Sequence, residues 1–331
     1  MVRKRFIYKI ILIATILLVM VICCVGVYVY RWNIVHPLKT GELEIDGMER
    51  TFVYHVPSGL KPKSRLIIAY HGTAMTGRMM QIMTGHEFDE FADRDQNAII
   101  VYPQGYKNNW NDCRKSALFP AKQMNLDDVG FTGQIIKYFI EHYNIDTTQV
   151  YAVGYSNGGA MVMKLAAEQP GWFKGFAVIS SNLPVETNNA CYDANKPVSL
   201  LYMRGMQDPI IPYGGGEVVF IDGRHFGAVQ STQQTLQHWL NVSRCDTLPF
   251  STLQYANNAG AVTATQENYY SSTTNKRVVF IKVLDGGHTI PNRNFRIPIK
   301  EIGNMNQELD APQIIWDFFV NLKVKPKRKT G

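Results

Sequence analysis

Two regimes of hydrophobic patterning divide this chain. From Ile10 to Tyr30, 21 residues pass without a charge, the length an α-helix needs to cross a bilayer. Beyond that stretch the apolar runs are short and rich in β-branched residues, at 51–56, 66–70, 98–102, 150–154, 176–180, 198–203 and 278–284. Several are nearly continuous rather than alternating, the pattern of strands covered on both faces. Between many of them apolar residues recur at helical spacing: Val129, Ile136, Phe139 and Ile140 within 127–143, and Ala160, Met163, Leu165 and Ala166 within 157–169. Further helices are predicted over 229–240 and 311–322. Alternating strands and helices predict an α/β fold, a doubly wound and mostly parallel sheet with helices on both faces. Ligands on such sheets bind at the carboxyl ends of the strands, so the residues just after each run are where chemistry is expected.

The ends differ from the body. Arg3, Lys4, Arg5 and Lys9 precede the apolar stretch, which predicts a cytoplasmic N-terminus and a translocated body. Residues 1–33 are read as an uncleaved membrane anchor, residues 34–322 as the catalytic domain in a periplasmic or extracellular space, and residues 323–331 as a basic tail. A cleaved signal peptide, giving a secreted protein, is the alternative, but no small-residue cleavage site follows the apolar stretch. The formal charge of +7 comes from these ends: ten of the 34 Lys and Arg lie in residues 1–31 and 323–331, which hold no acidic residue, so 24 remain against 27 acidic ones. That balance gives the body no basic footprint for nucleic acid. Cys113, Cys191 and Cys245 allow one disulfide and one leftover thiol in an oxidising compartment, with the pairing open. No His/Cys spacing suggests a metal, and no cofactor is expected.

The run at 150–154 leads into "VGYSNGGAM", in which Gly154, Ser156 and Gly158 form G-x-S-x-G between a predicted strand and a predicted helix. That context marks a nucleophile elbow, with Ser156 as the attacking residue. A serine needs a base, and the base needs an acid to orient it. Of the histidines after Ser156, His238 falls inside a predicted helix and His225 follows no strand. His288, in "DGGHTIPN", follows the last strand and is the predicted base. Asp208, in "MQDPIIPYGGG", follows the run 198–203 and is the predicted acid; Asp285 lies too close to His288 in sequence for that role. The loop "HGTAMTG" after the run 66–70 is expected to supply one oxyanion donor, the N–H of Thr73 or Ala74, with His71 structural. The N–H of Asn157 is expected to supply the other.

Six stretches together carry a resemblance: "DGMERTFVYHVPSG" (46–59), "YHGTAMTG" (70–77), "DDVGFTGQII" (127–136), "VGYSNGGAM" (153–161), "DPIIPYGGG" (208–216) and "DGGHTIPN" (285–292). They resemble the polyhydroxybutyrate depolymerase and feruloyl/acetylxylan esterase family of α/β-hydrolases. The resemblance implies a secreted or periplasmic serine carboxylesterase with Ser156, Asp208 and His288 in the triad positions, and the expected tether suits small or oligomeric esters. It also implies that Trp110, in "NNWNDC", lines the substrate pocket, and that Tyr213 does likewise. The sequence departs from the family pattern at Ile290, where tryptophan is common, and at Asn292, where glycine is common. Both are expected on the rim of the site, where they would alter substrate preference rather than the reaction.

Overall fold

The computed structural model describes residues 38–192, 194–297 and 299–322. The expected anchor (1–33) and basic tail (323–331) lie outside the described residues. Among the described residues no helix is long and apolar enough to cross a membrane.

One ten-stranded sheet organises the unit that begins at Thr40. Its strands are β1 (Lys39–Ile45), β2 (Met48–His55), β3 (Arg65–Tyr70), β4 (Ala98–Pro103), β5 (Val150–Tyr155), β6 (Gly175–Ile179), β7 (Leu200–Gly205), β10 (Ser251–Ala256), β11 (Val262–Tyr270) and β12 (Arg277–Val283); β8 (Gly216–Val219) and β9 (His225–Val229) form a separate ribbon. The order across the sheet is β1-β2-β4-β3-β5-β6-β7-β12-β11-β10. From β4 to β12 the pairs are parallel, while β2 joins β4, and β11 joins β12 and β10, antiparallel. Every residue of β4, β5, β6 and β7 is buried, as the unbroken apolar runs predict.

The helices are α1 (Gly77–Met83), α2 (Glu87–Asp95), α3 (Pro120–Gln123), α4 (Asp128–Tyr143), α5 (Asn157–Glu168), α6 (Thr232–Ser243) and α7 (Ala311–Val320). One sheet face presents Leu66, Ile68, Val150, Ala152, Val178 and Leu200 to α4, α5 and α6, through Phe131, Phe139, Met161, Leu165 and Trp239. The other face meets α7, whose Phe319 stacks on Tyr151 with ring centroids 4.7 Å apart, and Trp316 of α7 packs on Phe91 of α2.

Three expectations shift. The helix predicted over 229–240 begins at Thr232, because Ser231 and Gln234 form a reciprocal capping box. The hairpin β10–β11 goes unpredicted: at the sheet edge most of β10 is exposed and its sequence, STLQYA, is largely polar. Helices α1 and α2, which fill the β3–β4 crossover, are likewise unpredicted.

Candidate active site

Strand β5 ends at Tyr155 and α5 begins at Asn157, leaving Ser156 alone to turn the chain. It does so with φ 56° and ψ −120°, a conformation that a β-carbon makes costly and that surrounding structure must hold. Two glycines let the strand and helix come together. A Cβ on Gly154 would collide with the Gly158 carbonyl, and one on Gly158 with the Tyr70 carbonyl on β3.

The structure brings the three widely separated residues into one relay. The Ser156 Oγ lies 2.8 Å from His288 Nε2, and His288 Nδ1 lies 2.8 Å from Asp208 Oδ2. Asp208 Oδ1 accepts the amides of Ile210 (2.9 Å) and Ile211 (2.8 Å), while Oδ2 also takes Arg204 Nη1 at 3.1 Å. Burial works against the Asp208 charge. The His288 ring, the Arg204 guanidinium and the Ile211 amide outweigh it, holding the carboxyl below the usual carboxylate range. With its acceptors engaged this way, the carboxylate fixes His288 with Nδ1–H toward Asp208 and leaves Nε2 to accept from the serine hydroxyl.

His288 is held through its backbone as well. Its N–H donates to Ile302 O at 2.6 Å, and its carbonyl accepts the Tyr155 hydroxyl at 2.6 Å. Asp285 instead accepts the side-chain amides of Asn304 (2.8 Å) and Asn306 (3.3 Å), fastening the segment that backs the histidine loop. His225 is exposed and pairs with Glu217, and His238 packs edge-on against Trp239.

Of the two amides expected from the loop after β3, that of Ala74 is spent on Asn108 O at 2.9 Å. The N–H of Thr73 has no acceptor among the described residues, and that of Asn157, at the first turn of α5, has none within the helix. His71 fixes this loop. Its Nδ1 donates to Gly72 O (2.8 Å) and its Nε2 accepts the Gly105 amide (3.0 Å). Burial lowers its pKa to about 4, so the ring is neutral and keeps that tautomer.

Trp110 corrects an expectation. It is wholly buried, with its indole N–H donated to His71 O at 2.9 Å and its ring against those of Tyr70 and His71. It props the loop after β3 from behind and offers no surface to a substrate. Ile290 and Asn292 also lie inside rather than on the rim, both wholly buried. Asn292 Nδ2 donates to Glu87 Oε1 at 3.1 Å, and its Oδ1 takes the amides of Asn294 and Phe295 at 2.7 Å. Tyr213 is half-buried on the loop beyond Asp208 and packs against the main core.

Sequence reasoning missed the side-chain clasp around the nucleophile. Asn157 Oδ1 accepts the Trp110 amide at 2.8 Å, and its Nδ2 donates to Asp112 Oδ2 at 2.7 Å. Asp112 is paired with Arg114 at 2.5 Å, both buried. The Cys113–Cys191 disulfide ties this same loop across the fold and leaves Cys245 as the free thiol among the described residues. Among the described residues no group of His, Cys, Asp and Glu side chains could hold a metal ion.

The chain is similar to several known proteins. A family model described as the prolyl oligopeptidase family matches residues 84–188, a span that contains Ser156 and stops short of Asp208 and His288. NocK of Nocardia uniformis subsp. tsuyamanensis, assigned as an esterase, is 26% identical over 288 residues, covering 84% of this chain and 81% of that protein. Feruloyl esterase C of Emericella nidulans is 27% identical over 185 residues, 54% of this chain. The solved acetyl xylan esterase from Aspergillus awamori shares the fold with a TM-score of 0.53 at 16% identity, covering 77% of this chain and 95% of that one. The chain has the α/β-hydrolase fold and is similar in sequence to proteins named as feruloyl esterases. The chain spans 62% of the length of the Emericella enzyme, and the part aligned with NocK is much the longer of the two.

Proposed function

We propose that this α/β-hydrolase is a serine carboxylesterase working through Ser156, His288 and Asp208. The observation that carries the reading is the unbroken hydrogen-bonded relay that starts from a serine on a strained strand-to-helix turn. In this reading His288 Nε2 takes the serine proton as Oγ attacks the ester carbonyl. Asp208 stabilises the imidazolium that forms and keeps its orientation. The amides of Thr73 and Asn157, with the positive end of α5 behind them, receive the oxyanion, each worth on the order of 3 kcal/mol in the transition state. His288 then protonates the leaving alcohol, and water cleaves the acyl-enzyme by the same route in reverse.

Acetyl, feruloyl and hydroxyalkanoate esters are the substrate classes proposed, on the names of the relatives and the sequence resemblance. The Cys113–Cys191 disulfide supports a body that works in an oxidising space, periplasmic or extracellular. Tethering there by residues 1–33 belongs to the same proposal.

Ser156→Ala is expected to abolish p-nitrophenyl acetate hydrolysis and fluorophosphonate labelling while leaving the thermal transition in place. Turnover retained by that variant would end the reading. Parallel assays on methyl ferulate, acetylated xylan, 3-hydroxybutyrate oligomers and a peptide p-nitroanilide then rank the ester classes, and turnover of the anilide above all the esters would favour a peptidase instead.

A further inference from the structure

Arg204 sits at the end of β7 with no solvent exposure, four residues before Asp208. Its Nη1 donates to Asp208 Oδ2 at 3.1 Å, the oxygen that also takes His288 Nδ1. Its Nη2 donates to Ile211 O at 2.6 Å, and Nε faces Thr232 Oγ1 at 3.5 Å. Orientation of the acid does not require it, because two amides already hold Oδ1 and the histidine holds Oδ2. What the guanidinium adds is a positive charge held against the acid inside the protein.

At rest the Arg204–Asp208 pair is neutral as a unit. Once His288 has taken the serine proton, the cluster carries a net positive charge where a lone carboxylate would leave none. The cation lies two hydrogen bonds from the imidazole, inside the protein, where charges are poorly screened. We propose that Arg204 is a positioning residue for the ester hydrolysis proposed above, one that keeps His288 available as an unprotonated base to lower pH than the serine–histidine–aspartate relay alone would allow.

Other titratable groups surround the cluster. Tyr155 reaches it from β5 through the His288 carbonyl. Tyr202 precedes Arg204 by two residues on β7, and Tyr213 stands on the acid loop with Glu267 of β11 acting on it. Lys282 is the register partner of Arg204 on β12, and Asp285 beyond that strand is occupied by Asn304 and Asn306. Burial pushes the three tyrosines up, Tyr213 to about 12, so they stay neutral where the acid limb of the rate is read.

The test is the pH profile of kcat/KM for p-nitrophenyl acetate in the wild type and in Arg204→Met, Arg204→Gln and Arg204→Lys. The neutral variants are expected to move the acid limb upward by about one pH unit while the rate at pH 8 falls less than tenfold, and lysine is expected to hold the limb in place. A purely structural role would lower the plateau and leave the limb unmoved, and that result in an active neutral variant overturns the inference. If neither neutral variant folds, Arg204→Ala assayed with and without added guanidinium chloride decides: an acid limb that falls as guanidinium is added carries the inference, and a limb that does not move overturns it. Loss of the ester hydrolysis reading would show separately, as turnover in Ser156→Ala.

Discussion

Asn157→Ala separates the backbone of the residue after the nucleophile from its side chain. The alanine keeps the N–H expected to receive the oxyanion. It deletes the acceptor of the Trp110 amide (2.8 Å), a donor to Asp112 Oδ2 (2.7 Å) and a longer contact to Trp110 O (3.3 Å). All of these groups are buried. Asp112 retains Arg114, so its loss is partial, whereas the Trp110 amide is left without a partner. A buried group stranded in this way costs about 1–3 kcal/mol, and the two together give about 2–4 kcal/mol of destabilisation. The loop at 109–114 then no longer fixes the first turn of α5, and the donors move relative to Ser156. We expect kcat for p-nitrophenyl acetate to fall about tenfold, or ~1.4 kcal/mol, with KM changed less than twofold. Urea unfolding followed by tryptophan fluorescence measures the first effect, and steady-state kinetics the second. A variant within about 0.5 kcal/mol of the wild type and with its full kcat would show that the clasp neither stabilises the fold nor positions the donors.

Two more outcomes follow from groups around this frame. Burial first, and the Asp310 carboxyl second, push Glu87 up from 4.5 to about 7, against the Asn294 and Asn292 amides that favour its charge; its stabilising contribution is therefore complete below pH 4.5 and lost as pH rises through 7. Glu87→Gln is expected to unfold later than the wild type at pH 8, by about 1–3 kcal/mol, with the advantage gone at pH 4.5, and equal thermal scans at pH 8 would refute the assignment. The Cys113–Cys191 bond closes a loop of 78 residues, so the Cys113→Ser/Cys191→Ser double variant is expected to lose up to about 4 kcal/mol in urea titrations, and an unchanged midpoint would mean that the loop is held by other contacts.

What the sequence could reveal depended on whether the determining contacts were local. Strands β3 to β7 and β12 are read directly, because a strand buried on both faces needs an unbroken apolar run. Ser156 is legible for the same reason: its strained turn requires neighbours without side chains on either side of it, and those glycines are visible as letters. The β10–β11 edge is not legible, since exposure relaxes the demand on side-chain polarity. Neither is the Asn157 clasp, whose partners at Trp110 and Asp112 stand more than forty residues away and meet it only on folding. Trp110 was misplaced because a large aromatic in a loop beside an active site suits a pocket wall as well as a buttress, and only the His71 carbonyl at the end of its indole decides between them. Ile290 was misplaced likewise: position relative to His288 in sequence says nothing about which way the chain turns after it.

The disulfide also divides the residues of the candidate site along the chain. Ser156, with the whole of α4, β5, α5 and β6, lies inside the covalent loop from Cys113 to Cys191, whereas Asp208 and His288 lie outside it. A chain that folds as it is synthesised has both cysteines of that loop before it has Asp208, and Asp208 before His288. The three residues of the proposed relay meet only once β12 has docked beside β7.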